Sequence, residues 1–154
     1  MSGGLDAVGP PEKLSATHVL SDVDSGEPVL DEWLRRRALH NEANGSSRTY
    51  VVCEGAKVVG YYTLAVGAVV HAVAPGRVRR NMSDPLPVMV LGRLAVNQGH
   101  QRRGIGTGLL RDAVLRTVQA AGIAGIRAIL VHGSQRRRNV SMRHAGLSPH
   151  PSIP

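Results

Sequence analysis

The sequence predicts a single α/β domain with a mixed central sheet flanked by helices. Three observations carry that prediction. An apolar run over Pro87–Val96, a helical stripe at Leu109, Leu110, Ala113, Val114 and Val118, and a second apolar run over Ile126–Val131 succeed one another as strand, crossover helix and strand. Two strands joined that way lie parallel. Upstream, Thr49–Cys53 and Lys57–Val70 are apolar and β-branched on either side of the turn signal Glu54-Gly55, which makes an antiparallel hairpin. Finally, 154 residues with 42% apolar content suit one domain around a real core.

The elements follow in chain order. Leu30, Trp33, Leu34 and Ala38 recur at helical spacing behind Pro28, so residues 28–43 read as one amphipathic helix ended by Asn44-Gly45-Ser46-Ser47. The hairpin comes next, and its second strand is long. Residues 71–86, with Pro75, Gly76, Asp84 and Pro85, read as a basic loop. Pro87–Val96 is broken only by Gly92 and Arg93, which suits a central strand buried on both faces. The following helix ends near Gly122, and the last strand ends at His132. Residues 133–154 keep neither period and carry Arg136, Arg137, Arg138 and Arg143 with no acid. The expected organisation is a flexible extension at 1–13, a folded domain at 14–132 and an aberrant basic segment at 133–154.

Composition narrows the function. The one cysteine, Cys53, sits in an apolar run, so it reads as a core residue in a chain suited to a reducing, cytoplasmic compartment. Met1–Pro11 has no basic n-region and no apolar h-region, and Leu64–Val70 is too short to span a bilayer. Neither a signal peptide nor a membrane span is expected. With one cysteine, no clustered carboxylates and scattered histidines, no metal site is expected either. The net charge of +8 suits an anionic partner. His132 reads as a structural histidine, and two of Tyr50, Tyr61 and Tyr62 as sheet or core residues.

The strongest chemical signal is Gln101-Arg102-Arg103-Gly104-Ile105-Gly106, between a strand and a helix. Backbone N–H groups and the helix dipole make an anion site there. Glycines at 104 and 106 let a pyrophosphate approach the chain, and the arginines add charge-assisted bonds. No Gly-Lys-Ser/Thr follows, and the spacing is not that of a dinucleotide fingerprint. Arg93 interrupts an apolar strand, so its charge must face a cleft or a partner.

Gln/Arg-x-x-Gly-x-Gly/Ala after an apolar strand resembles the acetyl-coenzyme A signature of the GNAT N-acetyltransferase superfamily. Leu30–Leu34, Gly60–Leu64, Leu91–Val96, Leu110–Ala113 and Ile126–His132 extend the resemblance over roughly residues 14–132, toward the branch of bacterial GNAT toxins. That resemblance implies the GNAT acyl-CoA N-acyltransferase fold and an enzyme that acetylates the amine of an aminoacyl-tRNA. It further implies a ribbon-helix-helix antitoxin, and it admits a homodimer. Leu94, Ala95 and Val96 would pair with the pantetheine arm. Gln101, Arg102, Arg103, Gly104, Ile105, Gly106 and Thr107 would hold the pyrophosphate, with Asn139 as a further cofactor contact. Arg77, Arg79, Arg80 and Arg93 would engage RNA. An aminoacyl α-amine, with a pKa near 7.7–8, needs little help from a base at neutral pH, unlike a lysine near 10.4.

The sequence departs from the family at one point. Members carry a Phe-Tyr pair about ten residues after the last strand, the tyrosine being the proton donor; here that window reads Asn139-Val140-Ser141-Met142. No tyrosine follows Tyr62, and the chain has no phenylalanine. A two-base offset through Val140–Met142 can encode Phe-Tyr, and the same offset through Pro151–Pro154 can encode Ile-Asp-Pro, the family's ending. Residues after about His132 are therefore expected to derive from a shifted reading frame, which the gene's codons decide. Two other functions stay open at this point: acetylation of a small or protein amine, and a remnant that only binds coenzyme A or an antitoxin.

Overall fold

The structure, a computed structural model, describes residues 8–69 and 86–132. Its elements are β1 (Glu12–Lys13), α1 (Pro28–Arg36), α2 (Ala38–Asn44), β2 (Arg48–Glu54), β3 (Lys57–Val69), β4 (Leu86–Val96), a 3₁₀ turn (Gln98–His100), α3 (Ile105–Ala124) and β5 (Ile129–Val131). The sheet runs β1-β2-β3-β4-β5. The first four strands are antiparallel neighbours and β5 lies parallel to β4, so the sheet is mixed as the sequence predicts.

Three expectations shift. The single helix over 28–43 is two helices, broken at Arg37, whose φ of −120° leaves the helical region. The break lets α1 pack on β4 while α2 packs on β2, where the Glu42 carboxylate accepts the Thr49 N–H at 2.8 Å. The last strand is only Ile129–Val131; Arg127 N–H bonds Pro87 O just before the ladder begins. Residues 8–13 are not free of the domain. Val8 bridges Glu54, Gly9 N–H bonds Cys53 O, and β1 pairs with β2. A two-residue strand of exposed Glu and Lys has no apolar alternation to announce it. Residues 133–154, read as an aberrant segment, lie outside the described residues.

Two cores sandwich the sheet. Val52, Tyr62, Leu64, Met89 and Leu91 pack under Leu109, Leu110 and Ala113 of α3. Val51, Val58, Tyr61 and Ala95 pack under Leu34 and Ala38 of α1 and α2. Gly60 sits where the layers converge. A Cβ there would meet Val52 Cγ2 at 3.1 Å and Ala95 O at 3.2 Å, so the glycine permits the close approach. The β3–β4 ladder steps from Thr63↔Arg93 to Leu64↔Leu91, which makes Gly92 the extra residue of a β-bulge.

Candidate active site

β4 is covered on both edges only as far as Leu91. Its pairing with β5 ends at Leu91↔Val131, and the last bond between them is His132 N–H to Leu91 O at 2.9 Å. From Gly92 to Val96 the strand keeps β3 on one edge and loses β5 on the other. The bulge lies where the two strands part. Among the described residues that edge has no strand partner, and apart from Val96 O, which accepts the Gln101 amide, it is a strip of backbone donors and acceptors that an extended ligand could use.

The glycine-rich turn closes the far end of that strip. Gly104 has φ +83° and caps α3, and a Cβ on it would meet nothing within 4 Å. α3 has no side-chain cap at its start, and its first intrahelical bond near the turn is Gly108 N–H to Gly104 O. The N–H groups of Ile105, Gly106 and Thr107 thus find no acceptor among the described residues. Three donors at the positive end of a 20-residue helix can hold an anion. Gly106 lies against β4, its virtual Cβ 3.8 Å from Val96 Cγ2 and 4.0 Å from Leu94 Cδ2. Leu94, Val96, Gly104, Ile105, Gly106 and Thr107 therefore converge on one corner. Ala95, by contrast, points into the α1-side core, so it can contribute only backbone. Arg102 and Arg103 are exposed beside the turn, Arg102 in the left-handed region at φ 66°.

Gln101 does something other than hold phosphate through its side chain. Its amide donates to Val96 O at 2.9 Å and to Ser25 O at 3.1 Å, tying the turn to the end of β4 and to the loop before α1. The same loop is fastened again where Asp24 N–H bonds Asn97 Oδ1 at 2.7 Å, and the Asp31 carboxylate accepts the Ser25 hydroxyl at 2.7 Å. These bonds fix the turn against the strand.

On the α1 face a cavity of about 390 Å³ opens over the bulge, lined by Leu30, Ser47, Thr63, Gly92, Arg93 and His132. The Arg93 guanidinium lies 4.0 Å from the centroid of Trp33, which stacks on Tyr61 at 6.2 Å. Burial pulls the Arg93 pKa below its ordinary value, yet a guanidinium remains a cation at any working pH. No carboxylate pairs with it among the described residues. Arg93 thus meets the expectation that its charge faces a cleft. A second cavity, of about 350 Å³, is lined by Tyr50, Met89, Arg48 and Arg116, but its cations are already paired with Glu42 and Asp112.

Neither buried tyrosine is a free proton donor. Tyr61 OH donates to Leu30 O at 2.7 Å, and Tyr62 OH to Asp112 Oδ2 at 2.6 Å. Burial raises both phenol pKa values, and the Asp112 carboxylate raises that of Tyr62 further. Cys53 is buried, and that burial, with Glu12 nearby, pushes its thiol up to about 11, as suits a core residue and not a nucleophile. Ligand atoms of Glu12, His18 and Cys53 lie within 4.8 Å of one another. His18 Nδ1 accepts the Ser15 N–H at 2.9 Å, however, so the neutral ring keeps its proton on Nε2, toward Glu12 at 3.4 Å. Ser15, His18 and Glu12 thus form a polar clasp beside β1, with the buried Cys53 thiol next to it.

Arg77, Arg79 and Arg80, and Asn139 with Ser141 and Met142, lie outside the described residues. Sequence reading missed the bulge at Gly92, the Trp33 platform under Arg93 and the hydroxyls of Ser47 and Thr63. Only the Gly92-Arg93 interruption of an apolar run signalled any of them.

The chain matches the acetyltransferase (GNAT) family over residues 14–140, and it belongs to that family. It is 56% identical over 122 residues to a tRNA-acetylating toxin of Mycobacterium tuberculosis (strain ATCC 25618 / H37Rv), covering 79% of this chain and 74% of that protein. Among solved structures, AtaT complexed with acetyl-methionyl-tRNAfMet shares the fold with a TM-score of 0.82 at 24% identity, over 96% of this chain and 90% of that one. A mutant AtaT toxin bound to the C-terminus of the antitoxin AtaR and acetyl-CoA matches with a TM-score of 0.79 at 25% identity, over 96% and 89%. No helix among the described residues is long and apolar enough to cross a membrane.

Proposed function

We propose that this GNAT acetyltransferase moves the acetyl group of acetyl-CoA onto the α-amine of an aminoacyl-tRNA, as the toxin of a toxin–antitoxin pair. The observation that carries the reading is the half-open β4: a free strand edge from Gly92 to Val96 runs into the uncapped start of α3. The 56% identical relative supports tRNA as the substrate, and the AtaT complex supports acetyl-CoA and an antitoxin as ligands.

Each residue has a chemical task. The Gly92–Val96 backbone orients the pantetheine arm, with Leu94 and Val96 beneath it. The N–H groups of Ile105, Gly106 and Thr107 and the charges of Arg102 and Arg103 hold the pyrophosphate. Gln101 positions the turn through its two carbonyl bonds. Acetyl-CoA, when bound, supplies a thioester whose carbonyl carbon joins the amine nitrogen as the C–S bond breaks and the thiolate takes up a proton. An α-amine is about a tenth neutral at pH 7, so no strong base is required. Arg93, with Arg77, Arg79 and Arg80, attracts the RNA. A ribbon-helix-helix antitoxin, a homodimer and a cytoplasmic location complete the proposal.

A second reading, a remnant that binds coenzyme A without chemistry, rests on two facts: no tyrosine follows Tyr62, and both buried tyrosines are engaged. Incubating the purified chain with acetyl-CoA and charged tRNA separates the two. N-acetylated aminoacyl-tRNA by mass spectrometry is the expected product. Coenzyme A release with polyamines or lysine peptides alone points to another acceptor; binding without turnover points to the remnant.

A further inference from the structure

The cavity over the bulge carries a charge selection that the reaction itself does not require. It lies on the sheet face opposite α3, between α1 and the point where β4 and β5 part, so it borders the start of the open strand edge at Gly92 and Arg93. Its volume of about 390 Å³ is at the small end of ligand sites, the size for one amino-acid group and not for a protein segment. Two further observations mark it as a binding site. The Ser47 side chain is buried, with 8% exposure, yet its hydroxyl has no hydrogen-bond partner among the described residues. Arg93 brings a cation held against Trp33, and no described lining residue is an acid.

A site that welcomes a second ammonium places a carboxylate to meet it. Here the buried acid Asp31 keeps its charge but turns its oxygens to the Ser25 N–H and hydroxyl, and it does not line the cavity. Arg93 cannot shed its charge. A cation in the same small cavity would meet the Arg93 charge with no carboxylate among the described lining residues, the arrangement that discriminates between ligands by repulsion.

Building on the acceptor named above, we infer that the cavity receives the aminoacyl end of the acceptor, that Arg93 excludes acceptors with a second positive charge, and that Ser47 donates or accepts a hydrogen bond to uncharged ones. Lysyl and arginyl groups, and polyamines, are the excluded class. Methionyl, leucyl and other uncharged groups are the accepted class.

Stable 3′-amide analogues of aminoacyl-adenosine test this without turnover. The methionyl analogue is expected to bind the full chain at least about tenfold more tightly than the lysyl analogue by calorimetry. In Arg93→Gln the ratio is expected to fall toward one, and because it is a ratio within one variant, any general loss of RNA affinity cancels. In Ser47→Ala methionyl binding is expected to weaken about three- to tenfold while the ratio persists. Equal binding of the two analogues, no binding of either, or an unchanged ratio in Arg93→Gln overturns the inference. Charge-selective binding without acetylation of any charged tRNA would instead sink the proposed function and leave this inference standing.

Discussion

The two halves of β4 make opposite use of one strand. From Met89 to Leu91 it is paired on both edges, Arg127 N–H bonds Pro87 O just before, and the side chains of this half fill the cores. From Gly92 to Val96 it keeps one strand partner among the described residues, carries a bulge, and presents backbone groups beside a helix start with no side-chain cap. The closed half contributes stability and little chemistry. The open half leaves polar groups unmet, which a fold tolerates where a ligand supplies the missing partners. The function of this domain thus begins where a ladder stops.

Four substitutions or conditions sharpen or break that division. The largest effect on stability belongs to the closed half. Leu91, 2% exposed, should cost about 2–5 kcal/mol as Leu91→Ala in chemical denaturation, with coenzyme A affinity of the folded fraction unchanged. A parallel loss of affinity would show that the halves are not separable.

The alkaline limb of stability tests another closed region. Cys53 in β2 has its thiol raised from 9.0 to about 11. Between those values the unfolded chain releases a proton that the folded chain retains, so stability falls as pH rises through that window and is fully present below it. Denaturation midpoints measured from pH 8 to pH 11 should show a shallower decline in Cys53→Ala than in the parent chain. The smallest effect is Gly106→Ala. Its Cβ finds ordinary van der Waals space 3.8 Å from Val96, so melting temperature should hold; because the family signature admits alanine at this position, coenzyme A affinity should change less than about threefold, which would leave Gly104 as the glycine the diphosphate needs.

Much of the architecture was legible because it rests on periodicity. The hairpin around Glu54-Gly55 and the β4–α3–β5 unit come from runs whose period and turn residues agree. The glycine-rich turn was legible because glycine and arginine at a strand-to-helix junction have few other uses. What escaped depends on contacts distant in sequence. β1 is defined by its partner and not by its own two polar residues. The break at Arg37 reflects two helices serving two strands. Gln101 resembles a ligand contact in sequence, yet its amide is occupied by Val96 and Ser25, a bond across 76 positions that no local pattern encodes. The α1-face cavity joins Leu30, Ser47, Thr63, Arg93 and His132, which no motif unites.

Calorimetric titration of acetyl-CoA into the parent chain and Gly104→Glu tests the central claim most directly. A side chain at φ +83° costs about 1 kcal/mol of stability, a modest loss that leaves the domain folded. Its carboxylate would stand at the helix start where the pyrophosphate must lie, so binding should weaken more than about a hundredfold. A folded Gly104→Glu chain that binds acetyl-CoA as tightly as the parent would place the diphosphate elsewhere and contradict the account.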